Sequence, residues 1–273
     1  MATEILSGPI GEVRAASAAN GGTALTTTAG YIQLPKNTRY IYLIPRNFGA
    51  ALVVKYALNP WLWVLKTADS MASVPTDYSE FAQDGDATTD VDLSSLDTLA
   101  NGDSLWIGSH LPFRGVYCDI DTTNGTGTTS LTVVYWQGNT LLTISPTEGT
   151  KSTTSFDQDG GVTWTVPSGW QSATLEDICR AMGMPLTNAE FPARREKLYW
   201  TRWTVDAALD STTTLNSMVA MNRSTAYTEI PVGLSWEGAV HRGTGGIGCV
   251  EALTDAGTAN LIINVATARD AHF

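Results

Sequence analysis

The sequence predicts a mainly β protein: an antiparallel β-sandwich or jelly roll with one short helix, a second smaller β-region and an extended N-terminal arm. Three observations carry this expectation. Only 16% of the 273 residues are charged, whereas Thr is abundant and Trp occurs nine times, a bias toward residues that suit a pleated, half-buried surface. Short alternating runs recur along the chain, separated by turn clusters such as "TNGTG", "QGN" and "DQDGG". A single segment, 174–183, carries the caps and the apolar spacing of a helix.

Residues 1–30 are rich in Ala, Thr, Gly and Ser without a sustained period, which reads as an arm ordered by whatever it lies against. Residues 31–92 form the N-terminal β-region and a connection. "RYIYLIPR", "ALVVKYAL" and "WLWVLKTA" read as strands, the last two predicted to form a hairpin through Asn59-Pro60, and the polar, Asp-rich stretch 68–92 reads as connecting chain. Residues 93–219 are the sandwich domain, with strands at "DSLWIGSH", "RGVYCDID", "TSLTVVYW", "GVTWTVPS" and "LYWTRWTV". Its helix, "TLEDICRAMG", is capped by Thr174, has Asp177 at the reciprocal position and ends at Gly183, with Leu175, Ile178 and Met182 predicted to pack on the sheet. Residues 220–273 supply the C-terminal strands "TEIPVGLSWEG", "GIGCVEALT" and "ANLIINVAT", the last two expected to form a hairpin at 255–257. These strands are expected to complete the sheet of 31–67, leaving the sandwich as an insertion.

An apolar content of 43% is ample for a core. The net charge of −11, with no Lys/Arg-rich run, would repel a phosphate backbone and argues against a nucleic-acid partner. Cys118, Cys179 and Cys249 are odd in number and in no CxxC pair, as expected of free thiols in a reducing cytosol. The first 30 residues lack a basic start followed by an apolar core, and no run approaches the roughly 18 apolar residues of a membrane span, so neither a leader nor a membrane is expected. The glycosylation patterns at Asn124 and Asn222 carry little weight in that setting.

The stretch "SLWIGSHLPFRGVYCDIDTT" gathers Ser109, His110, Arg114, Cys118 and Asp119, the residue types of a hydrolytic site. Alternation disperses them: Val116, Cys118 and Ile120 share one face of the predicted strand, and Tyr117, Asp119 and Asp121 the other. His241 and His272 are isolated, and Ser109 lacks the GxSxG elbow. "GTGGIG" at 243–248 has dinucleotide-loop spacing but precedes strand-like sequence. The aspartates of "DGDATTDVD" and "DQDGG" could hold calcium, yet their spacing reads as solvated turn acids. The expectation is therefore no enzyme, no cofactor and no metal. Most tryptophans fall in alternating strands as core residues. Trp61 and Trp63, read as sharing a strand face, are the first choice for contact with a sister subunit or a glycan.

The blocks "G-D-x-L-x-I-G", "P-F-x-G-V-Y", "Y-W-x-G", "G-x-x-x-W-x-x-P" and "Y-W-x-R" occur in that order between 97 and 215. In this order they resemble a β-sandwich module of tailed-bacteriophage virion proteins, including head decoration (cement) proteins. "YIYLIPRNF", "VVKYALNPWL" and "PTDYSE" look similar to the same proteins. The resemblance implies a structural protein made in the host cytoplasm, sitting on the capsid exterior, commonly as a homotrimer, and reinforcing joints between major capsid protein subunits. It brings no catalytic residues. Arg14, Arg194, Arg195 and Arg242 are scarce cations in an acidic chain and are candidate partners for carboxylates on a capsid or on a sister subunit. The same module also occurs in tail and baseplate proteins, and the segment 174–196 interrupts its pattern as a candidate particle-specific contact.

Overall fold

The computed structural model describes residues 10–13, 22–36, 38–94, 96, 102–239 and 246–267. In chain order the first strands are β1 (Ile10–Val13), β2 (Thr23–Leu25), β3 (Gly30–Gln33), β4 (Thr38–Arg46) and β5 (Val53–Pro60). There follow β6 (Trp63–Thr67), β7 (Thr76–Asp77), β8 (Val91–Asp92), β9 (Ser104–Ser109), β10 (Gly115–Thr122), β11 (Leu131–Trp136), β12 (Leu141–Ile144), β13 (Thr147–Glu148), β14 (Gly160–Thr163) and β15 (Ser172–Ala173). The helix α1 (Leu175–Met182) precedes β16 (Leu198–Val205) and β17 (Thr214–Ala220). The chain ends with β18 (Thr228–Pro231), β19 (Trp236–Ala239), β20 (Ile247–Thr254) and β21 (Ala259–Thr267). The protein is mainly β, as the sequence predicts.

The chain divides into two compact units, Met1–Leu58 with Thr225–Phe273, and Asn59–Ser224. The first unit has one sheet ordered β1-β21-β4-β19, with β2 also on β21, and another ordered β18-β5-β20-β3. β21 pairs with β4 from Asn260↔Arg46 to Thr267↔Thr38, and β20 pairs with β3 from Cys249↔Gln33 to Ala252↔Gly30. Ile41, Leu43, Leu261 and Ile263 from one sheet and Ile32, Val54, Val250 and Ala252 from the other form one buried cluster. The arm expected at 1–30 contributes to this unit: β1 and β2 add to β21, and Leu25 is buried in the cluster.

The second unit is a sandwich of two antiparallel sheets, β12-β11-β16-β9-β6-β7 with β15 on β16, and β13-β14-β10-β17-β8. Period-two alternation sorts the side chains of β16. Trp203 and Val205 face the core between the sheets, and Leu198 and Trp200 face the outer side. Gly108 lies opposite Trp200 in the β9–β16 ladder, and a Cβ there would approach the indole to 2.6 Å, so the final glycine of "WIG" makes room for that ring. Lys66 crosses between the sheets, its ammonium donating to the Asp92 carbonyl at 2.6 Å and pairing with the Asp92 carboxylate at 3.5 Å. Burial lowers the Lys66 pKa, and the Asp92 charge opposes that shift.

Four local expectations are corrected. β5 and β6 are not a hairpin, since β5 lies between β18 and β20 whereas β6 pairs with β7 and β9; Val54 and Tyr56 face one core, and Leu62 and Val64 another. The turn at 255–257 likewise joins strands of different sheets, since β20 and β21 cover the same core from opposite sides. The stretch 68–92 is more than a connection: it contains β7, a 3-10 turn at Phe81–Gln83 and β8, with Ala82, Gln83 and Val91 buried. The Gln83 side chain bonds both backbone groups of Leu62, accepting from its N–H and donating to its C=O. The unit boundary thus falls at 58/59, where the sequence reading broke the chain at 92/93.

The helix begins and ends where its caps require. The Thr174 hydroxyl accepts from the Asp177 N–H at 3.0 Å and donates to the Asp177 carboxylate at 2.8 Å. Gly183 takes φ +63°, and its N–H bonds the Arg180 carbonyl. Its buried face is Leu175, Ile178 and Cys179; Met182, expected on that face, is the last helical residue and is exposed.

Candidate functional site

The cluster from Ser109 to Asp119 is dispersed over the end of β9, the connection after it and β10. Cys118 is fully buried in the sandwich core, where burial pushes its thiol far above the ordinary range. Asp119 points the other way; burial and then the Asp159 charge raise its pKa, against a hydrogen bond from Asn216. The Ser109 hydroxyl is buried and accepts the Leu111 N–H. His110 is half-buried just beyond β9. His241 and His272, Arg14, Arg242 and the start of "GTGGIG" lie outside the described residues; Gly246 leads directly into β20, a strand.

The loop acids work as caps. Asp84 accepts the Asp86 N–H, and Asp86 accepts the Thr88 N–H and hydroxyl. Asp157 accepts the N–H groups of Ser152, Thr153 and Thr154 and the Ser152 hydroxyl. Among the described residues no group of three or more His, Cys, Asp or Glu side chains is arranged to hold a metal ion. Asn124 is no glycan acceptor in this fold: it is buried, and its amide donates to Thr129, Thr154 and Ser155.

The motif aromatics build the wall. Phe113, Trp164, Trp170, Tyr135 and Trp203 interlock with ring centroids 5.1–6.4 Å apart. The Trp164 indole donates to the Phe113 carbonyl, that of Trp170 to the Trp200 carbonyl, and that of Trp200 to the Ala173 carbonyl. Trp61, proposed from the sequence as a contact residue, is only 2% exposed and offers no face to a partner. It precedes β6 rather than sharing a strand face with Trp63, which is half-buried against the outer apolar cluster.

That outer cluster is the chemically unusual place in the second unit. α1 and the segment 184–197 cover Leu65, Trp106, Trp136, Leu198 and Trp200 on the side of their sheet away from the sandwich core. Arg194 is buried, at 7% exposure, so the expectation of a surface contact is corrected. Its guanidinium donates to the Ala189 carbonyl and stands 6.0 Å from the Phe191 ring. Arg202 opposes Trp106 across the ladder and its guanidinium lies 6.0 Å from that ring, with Nη1 3.9 Å from the Met184 sulfur. Burial raises the Cys179 thiol to about 11, against the lowering charges of Arg194 and Arg202. Burial also lowers the Arg202 pKa. Arg195 is exposed and paired, 2.7 Å from Glu190 and 3.9 Å from Glu176.

The sequence reading named Arg194 and Arg195 but missed Arg202. The available signal was alternation: Arg202 continues the face of Leu198 and Trp200, so a charge was due on an apolar side. No family model, curated protein or solved structure matches this chain.

Proposed function

We propose that the chain is a non-enzymatic virion structural protein of a tailed bacteriophage, a decoration (cement) protein that binds the outside of the head as a homotrimer and reinforces contacts between major capsid subunits. The observation that carries this reading is the order of the five motif blocks. They fall on or beside β9, β10, β11, β14 and β16 of one sandwich; Phe113, Tyr135 and Trp164 pack between its two sheets and Trp106, Trp136 and Trp200 in the apolar cluster on its outer face. A surface suited to gripping a neighbour supports it. Leu52, Val232 and Leu234 are 69%, 51% and 59% exposed, and Leu52 and Val232 are joined by a backbone hydrogen bond of 3.0 Å. Two N–H donors, from Leu52 and Val53, are held by the Asp255 carboxylate, so this apolar tip is presented by a fixed turn.

The test is reconstitution. Particles lacking the protein should regain it on add-back, display it over the head in cryo-EM, and recover resistance to heat and to internal DNA pressure. Density confined to tail or baseplate would support a tail component instead. Particles that package and survive equally well without the protein would remove the cementing role. Sugar binding on a glycan array, lost in Trp63→Ala, would favour a recognition module.

A further inference from the structure

We propose that the outer face of the β9–β16 sheet, beneath α1, is an oxyanion-binding site in which Arg202 and Arg194 supply the charge and a small carboxylate or phosphate-type anion is the ligand. The starting observation is a missing counter-charge. The chain has 27 acids and a net charge of −11, yet among the described residues no carboxylate lies within 4.0 Å of either guanidinium. The nearby acids are used elsewhere: Glu176 and Asp177 hold the exposed Arg180, and Glu190 and Glu176 hold the exposed Arg195. The exposed Arg180 and Arg195 of this region are thus paired, whereas the buried Arg194 and the half-buried Arg202 are not. Removing a charge from water without a partner costs several kcal/mol, so selection against such an arrangement is strong unless a partner arrives from outside.

The donors fit an oxyanion. The Nε atoms of both Arg194 and Arg202 are buried and have no acceptor. Arg202 Nη1 has only the Met184 sulfur, a weak acceptor, as its hydrogen-bond partner. The Arg202 guanidinium stands 6.0 Å from the Trp106 ring, and its planar set of donors suits a bidentate carboxylate or phosphate. The Cys179 thiol cannot serve as the counter-ion at neutral pH, because burial keeps it protonated in spite of both arginines. Arg202, Trp63 and Met184 are each half-buried, so the face is partly open on that side, whereas Arg194, Phe191 and Ala193 close it on the other.

The experiment is thermal unfolding of the full chain in inorganic phosphate, acetate or citrate, titrated against chloride at constant ionic strength. A bound anion raises the midpoint with the logarithm of its concentration once above its dissociation constant, by roughly 5–10 °C at about a hundred times that constant. Arg202→Met should abolish this logarithmic part, and Arg195→Gln should leave it intact. Excluded-salt stabilisation, by contrast, grows in proportion to the salt and appears in every variant. A logarithmic rise in phosphate alone, or in acetate and citrate alone, supports the site and identifies the class of anion. The same proportional rise in wild type and Arg202→Met overturns it. If Arg202→Met fails to fold, side-chain Nε–H resonances in the wild-type protein decide. Movement of the Arg202 and Arg194 signals with a common half-saturation supports the site, and unmoved signals overturn it.

Discussion

Asp157 holds three successive backbone N–H groups and a hydroxyl in the loop between β13 and β14. Burial alone would raise its pKa, but those hydrogen bonds outweigh it and hold the carboxyl well below the usual range. The folded form therefore prefers the carboxylate, and the resulting stability is present above the unfolded value near about 3.9 and is lost as pH falls toward the folded value. Asp157→Ala should cost about 2 kcal/mol at pH 7. Denaturant melts at several pH values should show the gap to wild type narrowing steadily below about pH 4. A pH-independent gap would mean that the carboxylate charge contributes nothing. At this scale the sequence was partly legible. "DQDGG" reads as turn acids, and Asp157 is one. The unpaired state of Arg202 was not legible, because alternation assigns a face to a residue without saying which acids reach it.

The helix tests the element scale. Its Thr174 hydroxyl satisfies the Asp177 N–H, so Thr174→Ala should lower stability by about 1 kcal/mol, measured by chemical denaturation. No change would mean that water replaces the cap without cost. The caps were readable because they depend on residues three or four apart, as were Leu175 and Ile178 on the buried face, whereas the third residue expected there, Met182, is exposed and Cys179 takes its place. Strand identities were also readable, and so was the pairing of the C-terminal strands with those of 31–58, but the two local hairpins were not. Strands joined across two sheets and strands joined as a hairpin show the same alternation when both line one core. The turn at 255–257 is such a case, joining β20 and β21 around a shared cluster.

At the scale of the molecule, Asn59–Ser224 is continuous in sequence and contains its own two-sheet core, whereas the other unit is assembled from both ends of the chain. A fragment spanning 59–224 should therefore fold alone with a cooperative thermal transition and dispersed amide NMR signals, and a fragment spanning 1–58 should not. A non-cooperative melt of 59–224 would show that its core needs the rest of the chain. The boundary was hard to read because "ALNPWLW" contains one turn signal between two apolar runs, and nothing local reveals that the runs enter different cores.

β21 lies inside its sheet, with β4 on one side and both β1 and β2 on the other. During synthesis the inserted sandwich leaves the ribosome whole before β21 is made, while the earlier strands of the other unit wait for that central strand. Chains terminated within the turn at 255–257 would thus carry a finished sandwich and an unfinished sheet.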